Sequence, residues 1–178
     1  FTNDVALALG VPYESAEIAK LQHGHVVPDM VDANETVEVN GHQDEMPHLV
    51  RSRDLSRILN ERASELLRLV LLKVQDSGLD TMPPGGLVFT GGGANLEGWT
   101  DLAREMVSGP ARIAVPRDIP GLPDELKSPT YSTSVGILLW GIHHPTEQQA
   151  YPNKIGKGLF SKGRWWLHRL GQFIGYRS

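Results

Sequence analysis

Hydrophobic positions in this 178-residue chain fall into short groups, sharply bounded by Gly, Pro and Asn. The first group, Asp4 to Leu21, reads as a helix; Val11-Pro12 should interrupt it and Gly24 should end it. Thr36-Val37-Glu38-Val39 alternates polar and apolar residues over a short strand's length, and Asn40-Gly41 signals the turn after it. The longest periodic run is Ser52 to Gln75. Leu55, Leu59, Leu66, Val70 and Val74 recur there at spacings of four or seven, and Ile58 and Leu67 widen the stripe. Arg57 with Glu61, and Glu65 with Arg68, are spaced to support an exposed flank of that helix.

Pro83-Pro84-Gly85-Gly86 stops the pattern. Leu87-Val88-Phe89 is a buried-type strand that runs straight into Thr90-Gly91-Gly92-Gly93, and a helix is predicted from Leu96 to Val107, ended by Ser108-Gly109-Pro110. Ala111 to Val115 reads as another strand and Ser132 to Ile142 as a last apolar helix. Strands alternating with helices, with glycine at a strand-to-helix junction, predict an α/β fold. From His143 to Gly158 two prolines and two glycines mark a linker.

Charge changes the picture more than composition does. Cysteine is absent, which excludes disulfides and thiolate metal sites. No apolar run approaches the roughly 18 residues of a membrane-spanning helix. The net charge of −4 conceals an asymmetry: from Gln148 onward there are six basic residues and no acidic one, leaving 11 Lys and Arg against 21 Asp and Glu before it. An acidic body with a basic end implies two separate jobs. Uniform nucleic-acid binding is disfavoured, because only the end could neutralise phosphates.

Two features carry candidate chemistry in the body. A strand followed by Gly91, Gly92 and Gly93 and then a helix either lets a ligand's phosphate approach the backbone or makes a tight structural turn. It lacks the Lys-Ser/Thr of a Walker A loop and the spacing of a dinucleotide fingerprint. Glu17 and Lys20, one helical turn apart, form either a ligand-contacting pair or a surface ion pair. The seven histidines offer no pair at metal-binding spacing with a supporting carboxylate; His23 and His25 bracket a turn.

Thr2-Asn3-Asp4-Val5-Ala6 resembles the Thr-Asn-Asp-Ile-Ala signature of FtsA, the actin-like bacterial cell-division family. Ala16-Glu17-Ile18-Ala19-Lys20 is similar to that family's Ala-Glu-x-x-Lys, and Arg62 with Glu65-Leu66-Leu67 to its central Arg-x-x-Glu-hydrophobic helix. Leu87 to Ala94 resembles its Val-Leu-Thr-Gly-Gly-Gly-Ala, and Ser128 to Leu139 the block that follows. The resemblance covers nearly the whole chain, with the motifs in order.

It implies an actin/Hsp70-like ATPase fold, of which residues 1–143 would be the C-terminal lobe, with an inserted subdomain at roughly 4–75. The chain opens on Phe1 without Met, which predicts a fragment of a longer protein. ATP is the implied cofactor. Glu17 and Lys20 would contact its ribose or base, and Gly91, Gly92 and Gly93 would lie against the adenosine and α-phosphate. Magnesium and the catalytic groups would be held by the missing part, so no hydrolysis is expected of this piece. The implied partners are the C-terminal tail of FtsZ, further copies of the protein in a filament, and anionic membrane lipids. Arg51 and Arg53 are the candidates for the FtsZ contact, flanked by Asp44, Glu45 and Asp54; solvated arginines at a helix start are the alternative. The implied location is the cytoplasmic face of the bacterial membrane at the division site. A pilus-assembly ATPase of the same fold and a sugar-kinase-like enzyme remain as rivals.

Residues 159–176 follow the predicted linker, 144–158. On a helical wheel Leu159, Trp166, Leu170 and Phe173 share a face widened by Leu167 and Ile174, with Arg164 and Arg169 opposite and Lys162 at the boundary. Phe160 adds apolar surface, and Trp165 falls on the polar side, where its ring still reaches a headgroup region. A basic amphipathic segment of this kind predicts a peripheral membrane anchor, helical on lipid. Packing onto the body or binding a calmodulin-like groove are the alternatives.

Overall fold

The computed structural model describes residues 1–42, 46–78, 82–107 and 109–144. The chain divides into two units, residues 1–139 and 140–178. Of the second unit only Trp140 to His144 is described, where the two end rings stack at 4.9 Å. The whole of segment 159–176 lies outside the described residues.

The first unit opens on α1 (Thr2–Leu9) and α2 (Tyr13–His23). The break between them falls where Val11-Pro12 predicted it, because proline cannot donate the next helical hydrogen bond. A loop then leads to an antiparallel pair, β1 (Thr36–Val39) and β2 (His48–Arg51), in register Val37 to Val50 and Val39 to His48. Val37 and Val39 are buried while Thr36 and Glu38 face out, as the alternation requires. The long helix α3 (Ser52–Asp76) follows without a gap. A parallel pair, β3 (Leu87–Phe89) and β4 (Ala111–Ile113), is joined through α4 (Trp99–Met106). α5 (Ser132–His143) closes the described chain.

Several boundaries differ from expectation: α1 begins at Thr2 rather than Asp4, and α5 runs to His143 rather than Ile142. α4 begins at Trp99 rather than Leu96, because Gly92–Asn95 makes a separate 3-10 turn and Gly98, at φ 89°, turns the chain into the helix. β4 stops at Ile113, short of Val115.

α3 organises the core. It buries Leu55, Leu59, Ala63 and Leu67 against α1 and α4, in one cluster with Val5, Ala16, Ala19, Leu102 and Ala103. The expected row through Leu66 and Val70 is not the buried one: those side chains are 43% and 37% exposed. The ion pairs also differ, since Arg57 pairs with Asp54 at 3.5 Å and Glu65 with Arg62 at 2.7 Å.

Arg62 also grips Asp4 with two parallel hydrogen bonds of 2.7 Å, tying α3 to α1. That guanidinium holds the Asp4 carboxyl well below the usual carboxylate range. A pKa depressed on folding adds stability above the unfolded value of about 3.9, and the gain is lost as pH falls toward the folded value. The urea midpoint of the wild-type chain should therefore fall more steeply between about pH 5 and pH 3 than that of Asp4→Asn. Parallel pH profiles for the two would show that the pair does not couple to folding.

Candidate functional site

α2 presents Glu17, Lys20 and Leu21 along one side, and the chain after it, Gly24 and His25, continues the same wall. Facing them are Gly92 and Gly93 from the turn after β3, then Asn95, Leu96 and Glu97. Met30, Asp32 and Glu35, from the loop before β1, line the cavity with Thr130 and Phe1. The cavity volume is about 730 Å³, within the range of small-molecule sites.

Glu17 and Lys20 form an ion pair of 2.6 Å. It is more than a surface pair. Thr2, buried at the start of α1, donates its hydroxyl to Glu17 Oε2 and accepts from Lys20 Nζ at 2.9 Å. The ammonium first, and the hydroxyl second, lower the pKa of Glu17, so the carboxylate stays charged at neutral pH. A fixed cation and a fixed anion at one cavity wall can orient a polar ligand bearing both donors and acceptors.

The three glycines divide between two roles. Gly91 does not line the cavity: its N–H donates to the Pro129 carbonyl at 2.9 Å and its carbonyl accepts from Ala94. Gly92 and Gly93 do line it. A methyl group at Gly93 would meet no protein atom within 4 Å, and one at Gly92 only Thr130, at 4.0 Å. The fold leaves that space open, which fits a ligand lying against the backbone.

The opposite wall is drawn in by close packing. The segment His25 to Val27 is clipped from two sides. The Ser56 hydroxyl and the Asn60 amide, both on α3, donate to the His25 and Val26 carbonyls at 2.7 Å each. On the other side Val26 N–H donates to the Glu97 carbonyl at 2.9 Å. His25 Nδ1 accepts from Val27 N–H at 2.9 Å, which places the neutral ring's proton on Nε2. Gly24 is required here, since a Cβ would stand 2.2 Å from the Lys20 carbonyl oxygen and 2.6 Å from Leu96 Cδ1. Histidines 23 and 25, which spacing alone assigned to a turn, both belong to this wall.

Arg51 and Arg53 lie away from the cavity. Arg51 pairs with Asp54 at 2.7 Å, while Arg53 pairs with Asp29 at 2.6 Å and donates to the Pro28 carbonyl at 3.3 Å. The structure does not gather them around a common pocket. Asp44 and Glu45, and the tail residues from Leu159 to Ile174, lie outside the described residues. Among the described residues no group of three His, Asp or Glu side chains could hold a metal ion, and no helix is long and apolar enough to cross a membrane.

Comparison with known proteins agrees on one group. The family model described as cell division protein FtsA matches residues 1–136. The chain is 34% identical to the cell division protein FtsA of Pseudomonas aeruginosa, over 82% of this chain and 35% of that protein. With the Escherichia coli K12 protein of the same name the identity is 31%, over 97% and 42%; with that of Rhizobium meliloti it is 31%, over 97% and 39%. The chain thus spans about two-fifths of the length of the relatives it matches. Among solved structures it is similar to MreB5 of Spiroplasma citri bound to ADP, with a TM-score of 0.55 and 17% identity over 83% of this chain and 45% of that one.

Proposed function

The chain belongs to the FtsA family of cell-division proteins and has an actin-like fold, and on that footing we propose that its cavity holds the adenosine and α-phosphate end of ATP. One observation carries this reading: the Glu17–Lys20 pair and the Gly92-Gly93 turn, far apart in sequence, face a single cavity of nucleotide size. Lys20 and Glu17 would bind the ribose or base, and Gly92 and Gly93 would admit the α-phosphate. Gly91 supports the turn from behind rather than touching the ligand. The open space over Gly93 supports the fit. So does the similar MreB5, which was solved bound to ADP.

ATP would supply a polymerisation-linked switch rather than metabolic chemistry. This chain holds one wall only; magnesium coordination and any hydrolysis would fall to the remainder of the whole protein. We further propose an adaptor role at the cytoplasmic face of the membrane at the division site. Segment 159–176 would bind anionic lipid, Arg51 and Arg53 would contribute to capture of the FtsZ tail, and copies would associate into a filament. No observation favours the pilus-assembly or sugar-kinase-like reading over this one.

Titration of the ¹⁵N-labelled chain with millimolar ADP tests the nucleotide site. Amide shifts should concentrate at Lys20, Gly24, Gly92 and Gly93, and Lys20→Ala should weaken binding roughly tenfold or more, the worth of a charged hydrogen bond. Shifts scattered over the surface, or an unaffected Lys20→Ala, would contradict the reading.

A further inference from the structure

We infer that Trp99 is a positioning residue for the nucleotide site, holding the Gly92-Gly93 turn in shape through its indole N–H and keeping the Gly93 carbonyl turned away from the ligand's phosphate. This rests on the nucleotide reading of the cavity. Three successive glycines have no side chains to fix their conformation and are the most permissive residues of the backbone. A single 3-10 turn with its poor hydrogen-bond geometry fixes them weakly. The shape of Gly92-Gly93 must therefore be imposed from outside the turn.

Trp99 is placed to do so. Its Nε1 donates to the Gly93 carbonyl at 2.8 Å, shorter than the 3.3 Å bond that Leu96 N–H makes to the same oxygen. The indole is itself immobilised, being 3% exposed. It stacks on Phe89 with centroids 5.0 Å apart and meets Phe1 edge-to-face at 5.9 Å. Phe89 is the last residue of β3, so a rigid path runs from the sheet through two rings to the glycine turn.

The direction of that bond matters chemically. Gly93 lines the cavity whereas Trp99 does not, so the shorter of the two bonds to the carbonyl oxygen draws it toward the buried indole. A peptide carbonyl facing a phosphate would repel it; one engaged behind the turn does not. Phenylalanine in the same place would keep an aromatic ring beside Phe89 but leave the oxygen only the longer 3.3 Å bond from Leu96 N–H.

The test replaces the indole of Trp99 in the full chain with an isosteric benzothiophene (3-benzothienylalanine), alongside Trp99→Phe, and measures binding of ADP and of adenosine. In the wild-type chain the Trp99 indole N–H should exchange slowly with solvent. In both variants ADP should bind roughly fivefold more weakly, the effect of one net hydrogen bond, while adenosine, which has no phosphate, changes much less. Faster exchange of the Ala94 amide, which shares a peptide unit with the Gly93 carbonyl and donates to Gly91, should accompany this. Equal weakening of both ligands, as a generally loosened fold would produce, overturns the inference, and so does unchanged ADP binding. Failure of the wild-type chain to bind either ligand would instead bring down the nucleotide reading and the role of Trp99 with it.

Discussion

Truncating Leu59 to alanine is expected to lower the unfolding free energy by about 2–5 kcal/mol, the range for removing a fully buried leucine and leaving a cavity. Leu59 is 0% exposed, on the face of α3 that packs against α1 and α4. Against a total stability of about 5–15 kcal/mol this is a large loss. It should also reach the cavity, since Ser56 and Asn60 on either side of Leu59 hold the His25–Val26 wall by their hydrogen bonds. The informative partner is Leu66→Ala. Leu66 is 43% exposed, so its truncation should cost under about 1 kcal/mol in the same urea titration. Equal losses at the two positions would mean that α3 buries a different face.

That pair of leucines marks how far the sequence could be read. Periodicity found α3 and both halves of the α1–α2 break, because a long apolar stripe and a proline each act locally. It chose the wrong row for the second half of the helix. The buried positions are Ser52, Leu55, Ser56, Leu59, Ala63 and Leu67, and three of these six are small or polar. Such residues allow close approach yet carry no hydrophobic signal, so the eye follows the larger Leu66, Val70 and Val74 instead. β2 escaped notice for a related reason. Leu49 points outward at 76% exposure while His48 and Val50 are half-buried, which inverts the pattern expected of an apolar residue.

The site divides in the same way. Glu17 and Lys20 were legible from their helical spacing, and Gly92 and Gly93 from the strand-glycine-helix order. Their meeting in one cavity was supplied by family resemblance rather than by spacing. Thr2, Ser56, Asn60 and Trp99 were not legible as supports. Thr2 binds a partner 15 residues away, and Ser56 and Asn60 bind backbone 31 and 34 residues away, so nothing local distinguishes them from ordinary polar residues. Trp99 reads as a core residue, which it is; its second task depends on where one N–H falls. Gly91 shows the converse, a motif residue whose contact is internal.

Ending the chain at Tyr151 is expected to abolish its co-sedimentation with anionic vesicles, which the full chain should show strongly and neutral vesicles weakly. The removed segment carries Trp166, Leu167, Leu170, Phe173 and Ile174 with Leu159 on the apolar side of the helical wheel. Partial burial of six such side chains offers several kcal/mol, at up to roughly 1.5–3 each. Lys154, Lys157, Lys162, Arg164, Arg169 and Arg177 add up to about 1 kcal/mol apiece near an anionic surface. Opposing this, Gly163, Gly171 and Gly175 would each cost about 1 kcal/mol on forming a helix at the lipid surface. The balance favours reversible attachment, which salt should weaken by screening the basic residues, and which many copies in one filament would convert to firm anchoring. The body cannot substitute, because with 11 basic residues against 21 acidic ones before Gln148 it is repelled by the same surface. If the truncated chain sedimented as well as the full one, or if neither did, the tail would be a packing element. The adaptor role would then have to rest on protein contacts alone.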